Sequence, residues 1–159
     1  MSNSRPTCEQ TRALIPHLAI QGCAGAIEFY QQAFNAQEMS RLLAGDGKRI
    51  MHAAITIDGN MIMLADDFPE CRGGKAVHPL ALGGSPVTIH RYVNDCDAAF
   101  QQAIAAGATA LLEPTDMFWG DRYCVVVDPY GHNWSLATHV RDVPPDELAA
   151  AAQAMMPAS

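Results

Sequence analysis

The stretch Asp128-Pro129-Tyr130-Gly131-His132-Asn133-Trp134 places a turn between two apolar runs, Tyr123 to Val127 and Asn133 to Ala137. An earlier stretch, Ile57-Asp58-Gly59-Asn60, does the same between Ile50 to Ile57 and Met61 to Ala65. Alternating residues around a glycine turn predict a β-hairpin in each place. The two turns lie about 72 residues apart, which makes them copies of one unit. Working outward, His17 in Ile15-Pro16-His17-Leu18-Ala19-Ile20 matches His90 in Val87-Thr88-Ile89-His90-Arg91-Tyr92-Val93 at nearly the same offset. Each strand-like run passes straight into a helical one, Ala24 to Phe34 and Cys96 to Ala106. Ala26, Ile27, Tyr30, Ala33 and Phe34 form one helical stripe, and Ala99, Phe100, Ala103 and Ile104 begin a second. Gly107 stands where a C-terminal cap belongs.

Each half therefore reads strand, helix, then three strands. The fold class expected is α+β, tandem βαβββ modules forming a curled mixed sheet around a cavity. The chain 1–159 is read as a single domain, with a first module over 12–67 and a second over 86–140. Residues 68–85, rich in glycine, proline and charge, read as an exposed linker. The tail 141–159 holds Pro144-Pro145-Asp146-Glu147 ahead of an alanine run, the signature of a short helix.

Composition narrows the function. A hydrophobic fraction of 49% in 159 residues suits one globular core without metal or disulfide staples. The net charge of −7 and ten scattered Lys and Arg residues argue against nucleic acid, which needs a basic stripe. No apolar run approaches the ~20 residues of a membrane helix. Five cysteines, an odd count with no CxxC pair, suit a reducing compartment, and the polar Met1 to Gln10 stretch lacks an apolar export segment. The expectation is a cytoplasmic protein.

Three further features join the repeat: Ala26-Ile27-Glu28-Phe29-Tyr30, Met51-His52-Ala53, and the Asp128-to-Trp134 turn. Together they resemble the vicinal-oxygen-chelate superfamily (glyoxalase/bleomycin-resistance/dioxygenase). Asp116-Met117-Phe118-Trp119-Gly120-Asp121-Arg122 and the ending Leu136-Ala137-Thr138-His139 followed by Val140-Arg141-Asp142-Val143 resemble its PhnB-like branch. The resemblance covers about residues 12 to 149. It implies a cup whose floor is strand side chains and, in metal-dependent relatives, four ligands: a His from the first strand and a Glu from the last strand of each half. Counting from the family's landmarks puts those positions at Ile15, Met63, Thr88 and Ser135, so the resemblance carries over no metal and no cofactor. A displaced set of His17, Asp67, His90 and His139 is the alternative metal site.

The ligand-binding residues expected are His17, His52, Met63, His90, Trp119 and Arg122. The histidines would offer hydrogen bonds from the cavity wall, Met63 and Trp119 apolar surface, and Arg122 a fork for a carboxylate or phosphate. Arg122 can equally pair with Asp121 and brace its loop. Cys124, ahead of Val125-Val126-Val127, reads as a buried strand residue and His132 as a turn residue. The function expected is metal-free binding of an apolar or aromatic small molecule in the sheet cavity. Its rival is a metal-dependent lyase, isomerase or dioxygenase using the displaced set, or acid–base chemistry by a histidine. The resemblance also implies a homodimer.

Overall fold

A computed structural model describes residues 13–155. The Met1 to Gln10 stretch, with Cys8, and the start of the first module at residue 12 lie outside the described residues. The first half runs β1 (His17–Ile20), α1 (Cys23–Phe34), β2 (Gln37–Leu43), β3 (Ile50–Ile57) and β4 (Asn60–Asp66). A 3-10 turn (Pro69–Arg72) and α2 (Pro79–Leu82) occupy the linker. The second half repeats the pattern with β5 (Thr88–Tyr92), α3 (Cys96–Ala106), β6 (Thr109–Asp116), β7 (Asp121–Val127) and β8 (Asn133–His139). The tail forms α4 (Pro145–Met155), which buries none of its residues.

The strands make two four-stranded mixed sheets, ordered β1-β4-β3-β2 and β5-β8-β7-β6. The first strand of each half lies parallel to the last, and both hairpins are antiparallel. Strand alternation sends Leu18, Ile20, Ile55, Ile62 and Leu64 under α1, where Ala26, Ile27 and Tyr30 complete the core. The opposite faces carry His17 and His52 on the first sheet and His90 on the second, and remain open.

Acidic side chains fix the helix starts and the join between halves. Asp66 accepts from the backbone N–H groups of Gly22 and Cys23 at the start of α1, both at 2.9 Å, and from Ile50 N at 2.7 Å. A strand carboxylate thus does for α1 what the N-cap Asp95 does for α3 through Ala98 N. Gly107 ends α3 with φ 117°, the left-handed conformation the cap requires.

Asp128 links the halves. Its Oδ2 accepts from the Tyr30 hydroxyl (2.7 Å) and the Trp134 indole N–H (3.0 Å), while Oδ1 accepts from Tyr130 N and His132 N. Around it, α1 packs on α3, and the Phe34 and Trp134 rings lie 4.6 Å apart.

Candidate functional site

The parallel pairings decide which residues share the open faces. His17 stands opposite Met63 and His90 opposite Ser135. Neighbouring strands offer side chains to one ion only when those side chains stand side by side. In this register Ile15 precedes β1, and His17 and His90, not Ile15 and Thr88, are the partners of Met63 and Ser135. A count from a helix ignores the length of the intervening loop, whereas hydrogen-bonded register does not.

On the first sheet's open face, His17 and His52 meet edge to face at 6.0 Å between ring centroids, beside Met63. Partial burial and the neighbouring His52 push the His17 imidazole below its ordinary pKa. On the second sheet, His90 Nδ1 lies 2.8 Å from Ser135 Oγ, stacks against Tyr123 and meets Tyr92 edge to face at 4.8 Å. Trp119 continues this aromatic surface, 5.6 Å from Tyr123. Its indole N–H donates to Asp121, which also accepts from the Tyr92 hydroxyl and pairs with His139 Nδ1.

The displaced metal set is not brought together. Asp67 is taken up by Arg72, Val77 N and His78 N at the root of the linker. His139 lies between Asp121 and Asp142, whose hydrogen bonds raise its pKa. Among the described residues, no group of three or more His, Cys, Asp or Glu side chains is placed to hold a metal ion. At the cross-strand positions, a thioether and a hydroxyl stand where two anionic carboxylates would be needed. Two imidazoles on separate faces with those neighbours do not fit a divalent cation.

Arg122 faces the helix side of its sheet, away from His90 and Trp119. Its Nε and Nη2 bond Asp97 of α3, and its Nη1 bonds Asp116 at 3.0 Å. Its donors tie α3 through Asp97 and the end of β6 through Asp116, not Asp121, and it leaves the ligand set. Cys124 is fully buried, with Cys96 Sγ 3.5 Å away, and burial pushes its thiol up to about 12, so it stays protonated at neutral pH.

A cavity of about 650 Å³ opens at the seam between halves. Ile15, Met39, Met61, Ile89 and Trp134 supply apolar wall, and His90, Arg91, Tyr92, Thr56 and Asn60 supply polar atoms. Of the ligand residues read from sequence, His90 alone lines it. Arg91 is the residue the sequence reading passed over. It occupies a helix-side strand position, between Ile89 and Val93, and an arginine at such a position is itself a signal.

The geometry now meets its relatives. The family model for the glyoxalase/bleomycin resistance protein/dioxygenase superfamily matches residues 14–136. The chain belongs to this superfamily. An uncharacterized Mycobacterium tuberculosis protein is 52% identical over 139 residues, which cover 87% of this chain and 81% of that protein. The crystal structure of a glyoxalase/bleomycin resistance protein/dioxygenase from Nocardioides is similar at TM-score 0.63 and 21% identity, covering 91% of this chain and 90% of that one. A PhnB protein from Bacillus cereus superposes at TM-score 0.61 and 16% identity, over 80% of this chain and 99% of its own. The fold read from the repeat is present in these neighbours.

Buried His132 gives the superfamily member a pH signature. Desolvation holds its imidazole below the ordinary range, against the pull of Asp128. A folded-state pKa depressed below the unfolded value means that the unfolded chain binds more protons. The stabilisation is present above about pH 6.5 and is lost as the pH falls through the depressed value. His17 acts in the same direction, while His139, raised but exposed, acts weakly in the opposite one. Urea midpoints should fall between neutral pH and mild acid, and His132→Gln should flatten that fall.

Proposed function

We propose that the protein captures an organic small molecule without using a resident metal. One observation carries this reading: the cross-strand partners of His17 and His90 are Met63 and Ser135, so the imidazoles are left as hydrogen-bonding groups beside apolar and aromatic surface. His17, His52 and Met63 on one open face, and His90 with Trp119 on the other, offer that surface, and of these His90 also reaches the seam cavity. The seam cavity has the size and mixed lining of small-ligand pockets. The ligand class is an apolar or aromatic molecule with few polar groups. Titration of a chemically broad panel, followed by Trp134 and Trp119 fluorescence, tests this reading. Saturable binding is the expected result, and silence across the panel counts against it.

The same reading includes a homodimer. Met39, Leu42, Leu43, Met51 and Leu111 are exposed in the single chain, and β2 buries none of its seven residues. A second copy covering these surfaces would close both open faces. Sedimentation should give twice the chain mass at micromolar concentration, and Leu42→Glu/Met51→Glu should shift it toward the monomer. A reducing, cytoplasmic setting is part of the proposal, on the odd cysteine count without a CxxC pair. No helix among the described residues is long and apolar enough to cross a membrane.

A further inference from the structure

We infer that the seam cavity selects an organic carboxylate, with Arg91 as its anchor. The inference rests on the proposed capture of small molecules and assigns the ligand its charge. Arg91 is unusual for an arginine: its side chain is only 13% exposed. Its Nη2 donates to Asp58, its guanidinium lies 5.1 Å from the Phe34 ring centroid, and its Nε is buried with no hydrogen-bond partner among the described residues. A desolvated cation with a donor unmatched is an expensive arrangement unless something else completes it.

Asp58 is a poor candidate to complete it. It sits in the β3–β4 turn with a side chain 60% exposed, so water competes for its charge. It reaches one guanidinium nitrogen, not two. A ligand carboxylate entering from the cavity could displace it and span two guanidinium donors as a planar fork. Asp58 would then turn outward into solvent, which already reaches it. The apolar body would rest on Met39, Met61 and Ile89, and those same walls, by excluding water, strengthen the ion pair. His90 and Tyr92 add polar groups to the cavity lining.

The test compares 2-naphthoate with its neutral near-isostere 2-naphthamide by calorimetry, with Trp134 emission reporting occupancy of the seam. Naphthoate should bind at least about tenfold more tightly than the amide. Arg91→Met should abolish that preference. Because Arg91 also helps join the halves, Asp58→Ala provides the second variant. Freed of its internal competitor, Arg91 should bind naphthoate about three- to tenfold more tightly, with the amide unchanged. A purely structural role for the Arg91–Asp58 bridge predicts weaker binding or none of this selectivity. Equal affinity for the two compounds, binding of neither, or weaker naphthoate binding in Asp58→Ala overturns the assignment. Equal affinity leaves small-molecule capture standing; only silence across the broad panel removes that as well.

Discussion

Asp128→Ala is expected to lower the unfolding free energy by on the order of 4 kcal/mol, a large share of what holds a domain of this size together. The carboxylate is 3% exposed and accepts from four donors: the Tyr30 hydroxyl, the Trp134 indole, and the backbone N–H groups of Tyr130 and His132. Truncation leaves all four facing a void. Each buried donor without a partner costs about 1–3 kcal/mol, and the sum is reduced because neighbours relax together. Asp128→Asn should lose less, since its amide oxygen can still accept from two of the four. Urea unfolding followed by circular dichroism measures both. A loss below about 1.5 kcal/mol for the alanine variant would mean that the join between halves lies elsewhere.

Gly120→Ala should be comparably damaging, at about 3 kcal/mol or more, because two independent objections coincide. Gly120 has φ 99°, which L side chains rarely adopt. A Cβ built there would also lie 2.1 Å from the Arg141 carbonyl oxygen, and that oxygen belongs to backbone that cannot swing aside. The Gly120 carbonyl accepts from Val140 N and Arg141 N, so relief of the clash would break the bonds that seat the end of β8 against the Trp119 loop. Gly83→Ala makes a control: φ is 79°, with nothing among the described residues within 4 Å of the added carbon, and about 1 kcal/mol of backbone strain alone is expected. Trp119 emission should shift in the first variant and not in the second.

These two positions also show where sequence reading succeeds and where it stops. The hairpin turn at Asp128 was legible because alternation and a glycine turn are local properties. So were the helical stripes and the Gly107 cap. The strands β2 and β6 escaped placement because each is an edge strand: Gln37–Leu43 is exposed throughout and Thr109–Asp116 nearly so, leaving no buried-and-exposed alternation to read. Asp66 and Asp128 were unremarkable acids until three-dimensional pairing showed their donors, which lie as far as 98 residues away. Arg91 was passed over beside His90 because a strand sends adjacent side chains to opposite faces, and histidine is the residue type a search for chemistry seizes first. Arg122 was singled out for its place in a tryptophan-bearing loop, yet strand alternation turns it toward Asp97 on α3.

The central claim is capture that uses no bound cation, and chelation tests it most directly. The tightest ligand from the panel should be titrated calorimetrically into protein dialysed against a strong chelator, and again after addition of Zn, Ni, Mn or Fe(II) in turn. Superimposable isotherms, within about a factor of two in affinity, are the predicted result. Binding that vanishes on chelation, returns with one metal ion, and is abolished in His17→Ala/His90→Ala would contradict the account.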